Sequence, residues 1–280
     1  MVVRSSGLLL VAAACSAPLP APDPLSDPVL RLHGHNDYLQ PVPLRAALEL
    51  GLGSVEADVF LVDGELRVGH ERWQLRPGRT LRSLYLEPLR DAVAAAPDGR
   101  LLPGGRPLVL LVDIKEDGTD VYQVLRRQLA EFAPMLTRFA DGRVEPGAVT
   151  VLLSGDRPRR IVAGELERWC ALDGRLSDLD AEPAPPVGLV PWISDTWRRV
   201  SDWTGSDELL PDEVKRVRAL VDAAHAQGRE LRFWSAPDRE QAWAALFDLG
   251  VDRIGTDQPK NAAAWLRHNR AGVTRPRPDR

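Results

Sequence analysis

The chain has 280 residues, of which 44% are hydrophobic and 27% charged, the balance of a globular protein able to bury a sizeable core. A formal net charge of -4 excludes the electrostatic footprint of a general nucleic-acid binder. No apolar run approaches the ~20 residues that a membrane-spanning helix needs.

At the start of the chain, Arg4 precedes the apolar stretch Gly7 to Ala14, then Cys15, then a segment rich in Pro and Ala. A charged start, a short apolar middle and small residues at the cut read as an export signal. It resembles a bacterial lipoprotein signal, in which Cys15 would carry the lipid; ordinary secretory cleavage is the alternative. Either route places the mature chain outside the cytoplasm, secreted or lipid-anchored at the outer face of the membrane. Cys170 is then the one thiol of the folded part, so no internal disulfide forms and stability comes from packing. Residues 1–28 are expected to be signal and linker, 29–268 a single domain, and 269–280 a polar, disordered tail.

Within the domain, short apolar runs alternate with helical patterns. Strands are expected at 29–33, 54–60, 107–115, 148–154, 169–173, 187–193, 230–235 and 252–256. Helical spacing appears in 43–50 (Leu44, Ala47, Leu48), 120–132 (Val121, Val124, Leu125, Leu129, Phe132) and 211–227 (Val214, Val217, Val221, Ala224). Residues 239–249 and 260–268 supply two more. Eight strands with interleaved helices predict an α/β fold, a single (β/α)8 TIM barrel, and no Gly-x-Gly-x-x-Gly turn supports a doubly wound sheet instead.

Four segments concentrate unusual residues, three of them at the C-terminal ends of expected strands, where such barrels build their sites. His33 and His35 lie two apart around Gly34 and share one face of extended backbone. Glu56 and Asp58 point the same way from a strand whose other residues are apolar. Paired carboxylates in that setting are costly unless a cation neutralises them, and oxygen donors suit a hard ion, Mg2+ or Ca2+, with salt bridges to interior arginines as the alternative. Asp63-Gly64 signals a hairpin turn that brings His70 back over the carboxylate pair. Asp113 and Lys115 emerge together after five apolar residues. Lysine is otherwise present only at Lys215 and Lys260, beside abundant arginine, which favours a phosphate-facing role for Lys115 over the alternative of an internal ion pair with Asp113 capping the barrel. Three carboxylates for one divalent cation, histidines for proton transfer and one ammonium make the inventory for cleaving a phosphodiester.

These segments resemble the phospholipase C-like phosphodiesterase superfamily, which includes glycerophosphodiester phosphodiesterases and sphingomyelinase D-like toxins. The likeness rests on His33-Gly-His-Asn-Asp-Tyr38, Glu56-Ala-Asp58, Val68-Gly-His70-Glu71 and Asp113-Ile-Lys115. Phe233-Trp-Ser235 and Gly250-Val-Asp-Arg-Ile-Gly-Thr-Asp-Gln-Pro259 extend it to the end of the domain. It is strongest to the branch containing fungal altered inheritance of mitochondria protein 6 and its bacterial relatives. The resemblance implies Glu56, Asp58 and Asp113 as metal ligands, His70 and a first-strand histidine as the acid–base pair, Lys115 and Asn36 on the substrate and Trp234 as a pocket wall. Glycerophosphodiesterases carry His-Arg-Gly on the first strand, and no arginine follows either histidine here. Spacing leaves His33 and His35 both open, with His35 favoured as nearer Asn36-Asp37 and further out on the rim.

The expected activity is therefore a metal-dependent phosphoric diester hydrolase acting, as a monomer, on a small phosphodiester or phospholipid. One rival is a non-catalytic surface lipoprotein that binds a head group or a partner. Another is an amidohydrolase-type barrel, which needs histidines at the ends of the fifth and sixth strands.

Overall fold

A computed structural model describes residues 27–271; the expected signal with Cys15 and most of the expected tail lie outside these residues. Eight parallel strands form the barrel. They are β1 (Leu32–Gly34), β2 (Ser54–Val62), β3 (Leu108–Ile114), β4 (Val149–Gly155), β5 (Ala171–Gly174), β6 (Trp192–Thr196), β7 (Glu230–Trp234) and β8 (Arg253–Thr256). Each pairs with the next in chain order, and β1 pairs with both β8 and β2, which closes the sheet. The hairpin arm Glu65–Val68 runs antiparallel to the far end of β2.

Alternation along the strands divides the core in two. Outward residues such as Val55, Ala57, Leu110, Val112, Val151 and Leu153 join the large apolar layer under the helices. Inward residues Val109, Leu111, Leu152, Ala171 and Trp192 form a second, smaller cluster with Phe139. Phe139 comes from a small antiparallel sheet of Arg138–Ala140, Arg143–Glu145 and Glu167–Arg168. Above that apolar plug, the next inward positions are polar: Glu56 and Asp58 on β2, Asp113 on β3, Ser154 on β4, Asp173 on β5, Ser194 on β6 and Arg232 on β7. All but the part-buried Asp113 are buried. A barrel interior that turns from apolar to charged towards the strand C-termini has its reactive end there.

The helices are α1 (Arg45–Leu50), α2 (Glu87–Ala95), α3 (Gly118–Glu131), α4 (Arg159–Ala163), α5 (Pro211–Ala226), α6 (Glu240–Asp248) and α7 (Pro259–Arg270). No helix among the described residues is long and apolar enough to cross a membrane.

Three local expectations shift. The first strand starts later than expected, because Asp27 caps a 3-10 turn over Pro28–Arg31 by accepting from Val29 N. The sixth strand is Trp192–Thr196 rather than 187–193: Pro185, Pro186 and Pro191 lack donors, and Leu189 and Val190 turn back onto the Pro186 carbonyl. The last helix runs on to Arg270, into the segment expected as tail.

Candidate active site

Every residue of the carboxylate site comes from a barrel strand or from the turn or hairpin that follows it. The β2 hairpin turns at Asp63-Gly64, both at positive φ, with Val62 facing Glu65. Past its second arm, Gly69 N bonds to the Asp58 carbonyl, which delivers His70 to the carboxylate. His70 Nδ1 lies 2.7 Å from Asp58 Oδ2. The turn is held from the other side by Gln74 Oε1, which accepts from His70 N and Glu71 N.

Asp58 and Asp113 sit opposite each other in the β2–β3 register. Lys115 Nζ lies 2.6 Å from Asp58 Oδ2 and 2.6 Å from Asp113 Oδ2. The ammonium expected to face phosphate is thus ion-paired within the carboxylate pair. Its pKa is raised: burial opposes the charge, and the two aspartates outweigh that. The Asp113 carboxyl is pushed up, chiefly by burial, with Lys115 pulling it back only in part.

Glu56 makes both of its bonds through one oxygen. Oε2 accepts from His33 Nε2 at 2.8 Å and from Arg232 Nη2 at 2.8 Å. Burial opposes its charge, but the Arg232 guanidinium and the His33 bond hold the carboxyl well below the usual range. Arg232 was not singled out from sequence. The signal was there, as an arginine flanked by Leu231 and Phe233 on an inward position of a strand.

Oxygens of Glu56, Asp58 and Asp113 lie within 4.8 Å of one another. Among the described residues Asp58 Oδ1 is buried with no hydrogen-bond partner. Gly155 leaves the flank open, since a Cβ there would come within 2.7 Å of Asp113 Oδ1. Three converging carboxylates, with one Asp58 oxygen left unpartnered, fit a hard divalent cation.

The two histidines of β1 have different surroundings. His33 is fully buried; its Nδ1 lies 3.0 Å from Ser54 Oγ and its Nε2 donates to Glu56. Burial, then the Arg232 charge, pushes its pKa down to about 3, so it is neutral with both nitrogens engaged. His35 stands one step further out, where its N bonds to the Thr256 carbonyl and its Nδ1 lies 2.8 Å from Asp257 Oδ1. Burial lowers its pKa, but the Asp257 bond and the charges of Glu56 and Asp257 outweigh it and the net shift is upward. The side chains of His35 and His70 are 37% and 52% exposed, and each leaves Nε2 free.

Asn36 lies beside His35, with Nδ2 2.9 Å from its Nδ1. The Tyr38 hydroxyl sits between Asn36 Oδ1 (2.6 Å) and Asp58 Oδ2 (2.8 Å), linking the first-strand loop to the carboxylates. Trp234 ends β7 on the rim and is 39% exposed. β5 and β6 end in Gly174 and Thr196, while His225 lies on α5 against Asp252 and His268 lies on α7. The histidines an amidohydrolase requires are absent from those strand ends.

Residues 27–99 match an AIM6-like phosphodiesterase domain, and residues 230–260 match the glycerophosphoryl diester phosphodiesterase family. Altered inheritance of mitochondria protein 6 of Eremothecium gossypii is 32% identical over 82% of this chain and 68% of its own length. The chain belongs to that family. A homolog from Arthroderma benhamiae is 29% identical over 84% of this chain and 83% of its own length.

Among solved structures, a glycerophosphodiester phosphodiesterase from Agrobacterium tumefaciens aligns with 16% identity and a TM-score of 0.45, over 84% of this chain and 98% of that one. An Oleispira antarctica phosphodiesterase, solved with the product sn-glycerol-3-phosphate, aligns with 13% identity and a TM-score of 0.47, over 84% and 96%.

Proposed function

We propose that this member of the altered inheritance of mitochondria protein 6 family is a metal-dependent phosphodiesterase acting on a glycerophosphodiester or phospholipid-type substrate. One observation carries the reading: three carboxylate oxygens converge within 4.8 Å, and imidazoles from two separate loops stand over the same mouth, each with Nδ1 held by an aspartate.

A divalent cation held by Glu56, Asp58 and Asp113 would draw charge off a non-bridging phosphate oxygen. His35 and His70 are the acid and base. An aspartate on Nδ1 fixes the tautomer and leaves Nε2 to give or take the proton at the reacting oxygens. The upward shift of His35 suits it to protonate the leaving alcohol, and His70 then receives the proton of the attacking oxygen. His33 is a positioning residue that orients Glu56, because neither of its nitrogens is free. Lys115 keeps the aspartate pair from repelling and offers positive charge where phosphate arrives. Asn36 and Trp234 border the same mouth and would meet the substrate's alcohol. Delivery outside the cytoplasm by the first 28 residues belongs to this reading.

The test is hydrolysis of bis(4-nitrophenyl) phosphate by metal-stripped protein with Mg2+ or Ca2+ returned. His70→Ala and Glu56→Ala are each expected to lower the rate by about 100-fold or more. A rate indifferent to chelator and to both substitutions refutes the assignment. Tight binding of glycerophosphocholine without turnover would favour the non-catalytic head-group binder instead.

A further inference from the structure

Beside the mouth, on the β2 side, lies a small apolar cleft that the proposed chemistry does not use. Its volume is about 180 Å3, and its walls include Leu39, Val68, Trp73, Arg76 and Arg79. Tyr38 forms the wall shared with the site, since its hydroxyl reaches Asp58. Trp73 is 73% exposed and Leu39 61%, and Val42 is exposed a few residues further along.

Single exposed apolar residues are ordinary, but a tryptophan and a leucine on one cleft are a patch. The patch is rigidly built. Trp73 sits in the Arg72–Gln74 turn, which the Gln74 side chain ties to the backbone of His70 and Glu71. The cations of the cleft are uncommitted. Among the described residues Arg76 donates only to the Trp73 and Leu75 carbonyls and Arg79 only to the Tyr38 carbonyl, with no carboxylate paired to either. Arg72 is the third arginine of the segment and pairs with Glu116, so the one acid within residues 71–79 is Glu71.

Indole at a surface flanked by unpaired arginines is the composition of a face that enters a membrane interface. The ring settles at head-group depth and the guanidinium groups meet lipid phosphates. We infer that this face docks on an anionic phospholipid bilayer, with Trp73 and Leu39 in the interfacial layer and Arg76 and Arg79 against phosphates. A protein covering the cleft would crowd the adjoining mouth, whereas a lipid surface placed there presents phosphodiesters to it. As an account of how substrate arrives, this rests on the phosphodiesterase reading; docking itself is measured without turnover.

The full chain is mixed with phosphatidylcholine vesicles and with vesicles containing phosphatidylglycerol, some lipids carrying brominated acyl chains. Binding to the anionic vesicles should weaken with salt, and Trp73→Phe should remove part of the bromine-quenched fluorescence. Leu39→Ser with Trp73→Ser should lower partitioning by about tenfold. Arg76→Glu should weaken binding to anionic vesicles and leave binding to neutral ones unchanged.

Absence of binding overturns the inference. So does binding with quenching identical in wild type and Trp73→Phe, which would place the contact elsewhere, as on the N-terminal apolar stretch. A dimer dissolved by the Leu39/Trp73 substitutions, without vesicle binding, would assign the face to a second copy. Absence of aryl diesterase activity in the metal-supplied wild-type chain would refute the enzymatic reading and leave the vesicle results standing.

Discussion

Asp37→Asn is expected to change how stability depends on pH while keeping the loop after β1 intact. Asp37 is buried, and its Oδ2 accepts from Leu44 N at 2.6 Å and from the Tyr85 hydroxyl at 3.0 Å. Both bonds end on one oxygen, so an amide oxygen in the same place preserves them. Burial outweighs those two bonds, and the carboxyl is raised from 3.8 to about 6. Between these values the native state holds a proton that the unfolded chain has lost. The contribution to stability is therefore fully present below about pH 4 and is lost as pH rises through about 6.

At ~1.4 kcal/mol per pKa unit the full loss is about 3 kcal/mol, of which about 2 kcal/mol falls between about pH 4.5 and pH 7.5. His33 slopes the other way, because its pKa is pushed down to about 3 and acid favours the unfolded chain. The absolute profile is thus a sum, and the difference between wild type and variant isolates Asp37. Urea unfolding across that range should show the variant gaining about 2 kcal/mol on the wild type as pH rises. A difference that stays flat within about 0.5 kcal/mol refutes the assignment of a buried, protonated Asp37.

Arg232→Ala leaves the buried Glu56 carboxylate with His33 alone and should cost about 3–5 kcal/mol by urea unfolding; a loss below about 1 kcal/mol would contradict the pairing. Gly155→Ala should cost about 2 kcal/mol or more and weaken metal binding by titration. Gly155 has a φ of +66°, and a Cβ would lie 2.1 Å from the Ile114 carbonyl oxygen and 2.7 Å from Asp113 Oδ1. Unchanged stability and metal affinity would sink that argument. The buried Cys170 thiol, pushed up to about 12 chiefly by burial, should resist disulfide reagents at neutral pH and label only on unfolding, as read by peptide mass mapping.

The β2 hairpin was legible because each step has its own local signal. Glu56 and Asp58 alternate with Val55, Ala57 and Val59, Asp63-Gly64 marks the reversal, and the arm's length fixes where His70 returns. Arg232 was harder to read. An arginine between apolar residues is ordinary on a half-exposed strand, and only a closed barrel makes its side of the strand an interior. The partners of Lys115 depend on depth. From sequence it emerges with Asp113 at the strand's end, but the register sets Asp58 directly across from Asp113, and two carboxylates claim the ammonium.

Depth also separates the two first-strand histidines. Alternation gives His33 and His35 the same side of the chain, and the backbone agrees: His35 N continues the ladder onto Thr256. One layer down, His33 meets Ser54 and Glu56, next to an arginine that penalises a second positive charge. One layer up, His35 meets the carboxylate of Asp257 and partial exposure to water. A step of two residues along a strand is ~6.6 Å, enough to pass from a dry interior to the rim. The same residue type on the same face thus becomes a fixed neutral donor at one position and a group able to exchange protons at the next.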